Sequence, residues 1–284
     1  AANEQAILFL NRRGTYTFVQ CRDCGFVLRC RRCDLPLTYH ATEEMLVCHQ
    51  CNYRRSVPLH CPACRSKRIK FLGVGTQRVE EEVAHIFPGT RLLRWDRDVT
   101  RGKNSHQRIL DKFLAHQADI LIGTQMIAKG LDLPEVTLVG IISADTILHF
   151  PDFRAGERTF QLLSQVAGRA GRGSSPGRVI VQTYTPEHYA IAYGAKHDYA
   201  SLYQQEIVFR QQHEDPPFAR LASLIYTHTS ADVCQREAKR VYQQLKDKRD
   251  SEGMEITLIG PSPMFFEKVR GRFRWQIILR GSDP

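Results

Sequence analysis

Eight of the nine cysteines stand as four pairs between residues 21 and 64, and within each pair two other residues separate the cysteines. A CxxC pair of this kind places two thiolates on one tight turn and fills half of a tetrahedral zinc shell. Four pairs therefore predict two structural zinc ions, neither of which keeps an open ligand position for water or substrate. The predicted ligands are Cys21, Cys24, Cys30, Cys33, Cys48, Cys51, Cys61 and Cys64.

Other uses of cysteine fit this pattern less well. Disulfide bonds in a secreted protein would leave one cysteine over, and redox CxxC motifs occur singly beside a thioredoxin-like unit. Unliganded buried thiols are the remaining alternative. A metal cluster indicates a reducing compartment, and the sequence shows neither a run of about 20 apolar residues nor a signal-peptide pattern. We therefore expect a soluble, cytoplasmic protein.

The spacing also bears on which pairs share a metal ion. Sequential pairing would make the chain reverse direction within the five residues between Cys24 and Cys30, which is short for a ribbon with two knuckles. Nested pairing joins the two inner pairs across residues 34–47, while the two outer pairs close the base. The sequence favours the nested arrangement, with Cys30, Cys33, Cys48 and Cys51 on one ion and Cys21, Cys24, Cys61 and Cys64 on the other.

The segment that carries these cysteines, residues 19–68, is rich in arginine and poor in large aliphatic residues. This composition predicts an insertion that is held by metal rather than by an apolar core. Each zinc ion with four thiolates has a formal charge of about −2, which nearly cancels the basic excess of the segment. Its arginines either contact phosphates or are solvated and screen the thiolates: Arg29, Arg31, Arg32, Arg54 and Arg55.

Outside this segment, apolar runs alternate with patterns of helical period. The apolar runs lie at 6–14, 91–95, 118–123, 136–143 and 178–184. The helical patterns lie at 76–87, 105–116 and 157–167. Strands that are apolar on both faces and alternate with helices predict a parallel sheet in an α/β layer.

The chain beyond residue 200 has a different pattern. A helical segment at 199–212 ends at the stiff Asp215-Pro216-Pro217 sequence. It is followed by a strand, a helix that begins at Ser230, a second strand and a hairpin around Arg270-Gly271, which together predict a small α+β domain. Cys234 lies on that helix, where we expect a small buried hydrophobe with no further role.

The last strand alternates basic and apolar residues. In an extended chain, Arg272 and Arg274 would lie on one face and Phe273, Trp275 and Ile277 on the other. The arginines either bind DNA phosphates or a partner protein, or are solvated on a half-buried edge strand, and we expect the aromatic residues to belong to the core. The net charge of +10 favours a nucleic-acid partner.

Two motifs are more specific than any of these patterns. The segments ILIGTQMIAKGLDLPEVTLV (120–139) and QVAGRAGRG (165–173) resemble motifs of the second RecA-like lobe of superfamily 2 helicases. The resemblance implies that Arg169 and Arg172 act as arginine fingers and that Gln165 assists them. Two arginines flanked by glycines suit the charge that develops during phosphoryl transfer, although a glycine-rich turn with solvated arginines would look the same.

The first of the two motifs contains further candidates. Thr124 follows a strand and is positioned to present its hydroxyl and backbone amide to a phosphate of the DNA strand. The resemblance places Gly130 and Asp132 at the border of the nucleotide cleft, where a carboxylate accepts a ribose hydroxyl or pairs with an arginine finger. An acidic residue on a surface loop is the alternative for Asp132.

The order of the motifs along the whole chain resembles the C-terminal portion of primosomal replication-restart DNA helicases. The resemblance implies a RecA-like parallel-sheet lobe (1–18 and 69–200), an inserted two-zinc ribbon module (19–68) and an α+β C-terminal domain (201–284). It implies ATP-driven unwinding at abandoned replication forks, and as partners branched or single-stranded DNA, the single-stranded-DNA-binding protein and primosome proteins. We expect a monomer with no membrane partner.

ATP and Mg²⁺ binding are expected only together with a first motor lobe. The sequence contains no GxxxxGK[ST] phosphate loop and no acidic Mg²⁺-binding box. The 284 residues alone are therefore expected not to hydrolyse ATP, and we expect the natural sequence to extend further upstream. The competing hypothesis is a non-enzymatic zinc-ribbon protein that binds nucleic acid or serves as a scaffold, but such a protein does not need two arginines facing a nucleotide cleft.

Overall fold

The computed structural model describes residues 4–11, 17–33, 35–40, 44–72, 75–96, 99–100, 105–124, 127, 133–171 and 176–282. Its strands in chain order are β1 (Gln5–Leu10), β2 (Thr17–Cys21), β3 (Thr38–His40), β4 (Met45–Val47), β5 (Arg54–Ser56), β6 (Ile69–Leu72), β7 (Leu92–Trp95), β8 (Ile120–Gly123), β9 (Val136–Ile142), β10 (Arg178–Val181), β11 (Arg220–His228), β12 (Thr257–Val269) and β13 (Arg272–Gly281). Its helices are α1 (Thr76–Ile86), α2 (Ser105–Leu114), α3 (Asp145–Leu148), α4 (Ala155–Ala167), α5 (Tyr189–Ala195), α6 (Tyr199–Gln212) and α7 (Ala231–Glu252).

The chain divides into two compact units. The first comprises Ala1–Arg13, Val74–Leu148 and Arg154–Leu202, and the second Gly14–Gly73, His149–Phe153 and Tyr203–Pro284. The second unit thus contains both the cysteine-rich segment and the C-terminal domain. The three-part division that the sequence suggests stays a prediction. Among the described helices, none is long and apolar enough to cross a membrane.

A parallel sheet of five strands forms the centre of the first unit, in the order β10-β9-β1-β8-β7. The central strand β1 places Ile7 opposite Leu121 of β8 on one side and Val139 of β9 on the other. All three side chains are fully buried. Helices cover both faces of the sheet, which explains why its inner strands are almost entirely apolar and confirms the predicted α/β fold.

Alternate residues of β1 face two separate cores. Phe9 belongs to the larger core, which also contains Phe113 of α2 and Phe160 of α4. Leu10 belongs to the smaller core, where it meets Val79 and Val83 of α1. The two valines are four residues apart and therefore lie on one face of their helix, as the helical spacing of 76–87 predicts.

Strand β10 is shorter than the predicted run 178–184. After Val181 the chain leaves the sheet and donates hydrogen bonds to the fully buried Asp145 carboxylate, from the Thr183 hydroxyl at 3.2 Å and from the Tyr184 backbone amide at 3.2 Å. A buried carboxylate requires such donors, and these residues satisfy it instead of extending the strand. Burial raises the pKa of Asp145 above its usual value, although these hydrogen bonds oppose the increase.

The cysteine-rich segment of the second unit folds into an antiparallel sheet of five strands, in the order β5-β4-β3-β2-β6. Its strand pairing extends beyond the predicted 19–68, because Phe18 pairs with Leu72. Leu28, Leu37 and Leu46 are at most 2% exposed and cluster with the cysteines. The segment therefore has a small apolar core built around the cysteines, and the expectation that metal rather than this core holds it stays a prediction.

A second antiparallel sheet, β11-β13-β12, carries α7 on one face. Ser230 caps the start of this helix as predicted, because its hydroxyl accepts a hydrogen bond from the Val233 amide. Cys234 of the helix and Trp275 of β13 are buried against each other, which confirms the interpretation of Cys234 as a small buried hydrophobe. Strand β13 is the central strand, so the alternative of an edge strand is wrong.

The predicted hairpin joins β12 to β13. Val269 pairs with Arg272, so only Arg270 and Gly271 form the turn. Both turn residues have positive φ, 50° and 79°. Positive φ at both central residues is the signature of a type I′ turn, whose twist matches that of the adjoining strands.

Candidate metal and nucleotide sites

The four CxxC pairs assemble into two clusters, and the grouping is nested as the sequence predicts. Within each cluster the four sulfur atoms lie within 4.8 Å of one another. Across the outer cluster, the Sγ atoms of Cys21 and Cys64 are 3.6 Å apart and those of Cys24 and Cys61 are 3.7 Å apart. The inner cluster consists of Cys30, Cys33, Cys48 and Cys51, with 3.6 Å between the sulfurs of Cys30 and Cys51.

These distances fit zinc. A tetrahedral ion with Zn–S bonds of about 2.3 Å separates its sulfur ligands by roughly 3.8 Å, and the observed 3.6 and 3.7 Å are close to that value. A disulfide would bring two sulfurs to about 2.05 Å, and none of the nine cysteines, all of which the structure describes, forms one. Four soft sulfur donors in this geometry favour zinc over magnesium or calcium, which bind oxygen.

The same backbone turn recurs in the CxxC pairs. In three of them, the residue four positions after the first cysteine has a left-handed backbone, with φ of 73° at Gly25, 58° at Asn52 and 63° at Arg65. The amide of each of these residues donates to the carbonyl of the first cysteine, over 2.9 to 3.1 Å. The corresponding residue of the remaining pair, Asp34, lies outside the described residues.

The surroundings of the thiols explain how they become ligands. Burial raises the pKa of the Cys21 thiol, but the backbone amides of Cys24 and Asp23 outweigh it and lower the pKa to about 7. Burial raises the pKa of Cys48 to about 12, and the charges of neighbouring thiols oppose its ionisation. Four thiols facing one another therefore do not all ionise unless a cation joins them, and a zinc ion supplies that charge.

Two arginines of the zinc module lie over the ring of Tyr53, a residue that the sequence analysis does not single out. Arg31 donates to the Tyr53 hydroxyl at 2.6 Å, and its guanidinium carbon is 5.0 Å from the ring centre. The guanidinium carbon of Arg32 is 5.7 Å from the same ring. This contact orients both cations, whereas the spacing of residues in the sequence gives no signal for it.

In the first unit, Thr124 lies at the carboxyl edge of the parallel sheet, directly after β8. Its amide donates to the Trp95 carbonyl at 3.4 Å. The approach is close because residue 123 is glycine: a Cβ atom on Gly123 would stand 2.5 Å from that carbonyl oxygen and 2.3 Å from Ile127 Cδ1. Thr124 is half-buried at the end of β8, and its contact with DNA stays a prediction.

Arg169 lies at the opposite edge of the sheet. It follows α4, and two residues later the Gly171 amide donates to the carbonyl of Val136, the first residue of β9, at 3.0 Å. Gln165 precedes Arg169 by one helical turn and is exposed. The structure thus brings Gln165 and Arg169 to the amino edge of the sheet and places Thr124 at the carboxyl edge. Three further candidates lie outside the described residues: Gly130, Asp132 and Arg172.

The C-terminal strand separates its residues as predicted. Trp275 and Ile277 are buried, whereas Arg272 is exposed and Arg274 is half-buried. Their interaction with DNA stays a prediction. The hairpin carries a further cation, because Lys268 Nζ lies 4.8 Å from the centre of the Phe273 ring.

Three family models match successive parts of the chain. Residues 30–55 match the PriA DNA helicase Cys-rich region (CRR) domain. Residues 76–174, which carry Thr124 and Arg169, match the helicase conserved C-terminal domain. Residues 211–284 match the primosomal protein N C-terminal domain.

Curated relatives match the chain from end to end. Replication restart protein PriA of Bacillus subtilis (strain 168) is 47% identical over 280 residues, which cover 99% of this chain and 34% of the relative. The chain belongs to the PriA family. The PriA protein of Synechocystis sp. is 43% identical over 291 residues, which cover 99% of this chain and 34% of the relative. The PriA protein of Chlamydia muridarum is 40% identical over 282 residues, which cover 99% of this chain and 37% of the relative.

The chain spans about a third of the length of these PriA relatives. Among solved structures, the C-terminal domain of the DEAD-box protein Dbp5 matches with a TM-score of 0.36 and 12% identity, covering 73% of this chain and 82% of that chain, a similarity too low to support any argument. The family match and the two four-cysteine clusters together support zinc binding.

Proposed function

We propose that this chain is the second motor lobe, zinc module and C-terminal domain of an ATP-dependent superfamily 2 DNA helicase that remodels stalled replication forks and initiates primosome assembly. The observation that carries the proposal is the placement of Arg169. It stands at the end of α4, in a segment tied by the Gly171 amide to the start of β9, within the residues that match the helicase model.

In this function, ATP is sandwiched between the amino edge of this sheet and a phosphate-loop lobe, since the 284 residues contain no GxxxxGK[ST] loop. Arg169 and Arg172 stabilise the charge that develops on the transferring phosphoryl group, and Gln165 assists from the preceding turn. Gly130 and Asp132 border the nucleotide. The chain without that lobe does not hydrolyse ATP.

DNA is held at the other edge of the lobe. The Thr124 hydroxyl and amide contact a phosphate of the tracked strand, and Arg272 and Arg274 add contacts on the C-terminal domain. The separation of Thr124 from Arg169 supports this division, because a motor that couples ATP turnover to movement needs its two ligands at different places on one rigid sheet. By family, branched or single-stranded DNA, the single-stranded-DNA-binding protein and primosome proteins are the partners, in the cytoplasm.

The two cysteine clusters hold the resident metal. The eight thiolates each provide one ligand, and two zinc ions clamp the strands of the module without taking part in ATP chemistry.

The decisive experiment measures DNA-stimulated ATP turnover and DNA affinity in the full-length protein. Replacing Arg169 or Arg172 by alanine is expected to lower turnover by about 10³-fold or more, as loss of other arginine fingers does, while DNA affinity changes little. Lysine is expected to rescue poorly, because an ammonium group does not reproduce the planar two-pronged contact.

A matched control is Arg78→Ala, which removes an exposed arginine of the same lobe that pairs with Glu82. Turnover in this control should equal that of the wild type. Near-normal turnover in both the Arg169 and Arg172 variants would show that the GRAGR segment is only a structural turn, and the proposal would lose its support.

A further inference from the structure

One residue of the inner zinc cluster makes contacts far outside the zinc module. His49 lies between the ligands Cys48 and Cys51 and is only 4% exposed. Its backbone carbonyl accepts hydrogen bonds from Ser262 Oγ at 2.5 Å and from Gln276 Nε2 at 2.8 Å. Both donors belong to the C-terminal sheet, more than 200 residues away in sequence.

The His49 side chain adds a third bond in the same direction, because its Nδ1 donates to the Pro263 carbonyl at 2.7 Å. Ser262 of β12 and Gln276 of β13 are paired across the two strands. The turn that carries two thiolates of the inner cluster is therefore held from one side by two neighbouring strands of another sheet.

A second layer supports His49. Its Nε2 lies 3.3 Å from Nε2 of His40, whose Nδ1 contacts the Glu267 carboxylate at 3.2 Å. Since a carboxylate only accepts, His40 Nδ1 donates to Glu267, and this bond positions the His40 ring against His49. This chain of contacts fixes the orientation of the His49 ring against the C-terminal sheet.

The contacts around the outer cluster differ in kind. Asp23, next to Cys24, accepts hydrogen bonds from the Ser66 hydroxyl at 2.5 Å and from Arg68 at 2.6 Å. Both donors belong to the zinc module itself and are close to Cys64 in sequence. The described contacts thus tie the outer cluster to its own module and the inner cluster to the C-terminal sheet.

We propose that the C-terminal sheet completes the inner zinc site, with Ser262 and Gln276 as positioning residues that hold the Cys48–Cys51 turn in its ligating shape through the His49 carbonyl. Partners in the layer behind metal ligands commonly change metal affinity by about 10–100-fold. The coupling is reciprocal: loading of the inner site also fixes the sheet on the module. This role goes beyond the motor function and does not depend on it.

The test uses the complete 284-residue chain loaded with zinc and compares Ser262→Ala, Gln276→Ala and the double variant with the wild type. Ser223→Ala is the matched control, because Ser223 is exposed on β11 of the same sheet. A chromogenic chelator competes for zinc while short pulses of a thiol-alkylating reagent mark the cysteines that have lost their metal. Mass spectrometry of the peptides then separates inner from outer cysteines.

The double variant is expected to release one of its two zinc ions about 10–100-fold faster than the wild type, with alkylation first at Cys30, Cys33, Cys48 and Cys51. The outer cysteines and the Ser223→Ala control should keep wild-type rates. Equal acceleration at all eight cysteines would show general destabilisation and overturn the proposal. Unchanged release of both ions would overturn it as well.

A second measurement needs no substitution. In the wild type, hydrogen exchange of the β12 and β13 amides is followed as zinc is withdrawn stepwise. Protection around Ser262 and Gln276 is expected to fall at the step that frees the inner cysteines and to be insensitive to release of the outer ion. Protection that stays constant throughout would contradict the reciprocal half of the proposal.

Discussion

Gly171 and Gly177 touch through their backbones. A Cβ atom on Gly171 would stand 2.3 Å from the Gly177 amide nitrogen, and one on Gly177 would stand 2.3 Å from the Ala170 carbonyl carbon. Real Cβ atoms do not approach backbone atoms this closely. The segment that carries Arg169 is therefore held between the end of α4 and the start of β10. Both positions must be glycine, because there is no room for a Cβ atom at either one.

Replacing Gly171 by alanine should destabilise the first unit. The residue also has a φ of 72°, which costs an L-residue about 1–2 kcal/mol, and the overlap with Gly177 adds about 1–3 kcal/mol. Gly89→Ala isolates the first contribution, because Gly89 has a φ of 85° but no atom within 4 Å of its Cβ position. Thermal unfolding should rank wild type, Gly89→Ala and Gly171→Ala in that order of falling stability; equal losses in the two variants would contradict the crowding argument.

Removal of zinc should leave the stability of the first unit unchanged, because the zinc sites lie in the second unit. Each unit contains one of the two tryptophans, Trp95 in the first and Trp275 in the second. In a Trp275→Phe variant, the unfolding transition of Trp95 should be the same with and without a chelator, because both zinc sites lie in the second unit and Trp95 lies in the first. Elemental analysis should give two zinc ions per chain. A single ion, or a Trp95 transition that shifts on zinc removal, would count against this prediction.

The hairpin arginines should contribute to DNA binding through charge. Arg272→Ala and Arg274→Ala are each expected to weaken binding to all sequences and to lower the slope of log affinity against log salt by about 1. Arg240→Ala is the control, because that guanidinium is already engaged by Glu237 and Gln244. Fluorescence anisotropy over a salt series measures both quantities. Slopes equal to the wild-type value would remove these arginines from the DNA surface.

Cys234 should react last of the nine cysteines. Burial raises the pKa of its thiol, its sulfur contacts the carbonyls of Tyr226 and Phe273 at 3.4 and 3.5 Å, and the side chain is fully buried. A low thiolate fraction and lack of access both slow alkylation. Chelation alone should expose eight thiols to a colorimetric reagent, and denaturant should expose the ninth. A Cys234→Ala variant should show eight thiols under both conditions.

Local patterns were sufficient to predict much of the fold. The apolar spacing of Val79 and Val83 identified α1, the Ser230 cap identified the start of α7, and the cysteine spacing identified the nested clusters. In each case the physical cause lies within a few residues or in a strict metal geometry. The short helices α3 and α5 were missed, since four and seven residues carry too little periodicity to be recognised.

Contacts between distant residues were not predictable. Ser262 and His49 are 213 residues apart, and no feature near either residue marks the other as its partner. The central position of β13 was missed for the same reason, because strand order depends on which strands meet and not on the alternation within one strand. Of the candidate site, the zinc ligands and their nested grouping followed from the cysteine spacing. The opposite sheet edges of Thr124 and Arg169 and the support behind the inner cluster did not.

The nested clusters also impose an order on metal loading. The inner pairs are joined by a short stretch of chain, 34–47, so their closure restricts few residues. Once they are bridged, the free chain between Cys24 and Cys61 is reduced to residues 25–29 and 52–60, less than half of its original length. Each halving of a loop lowers the free energy cost of closing it by about 0.6 kcal/mol. An ion in the inner cluster therefore makes it easier for the outer cluster to capture the second ion, and loading proceeds from the inner cluster to the outer one.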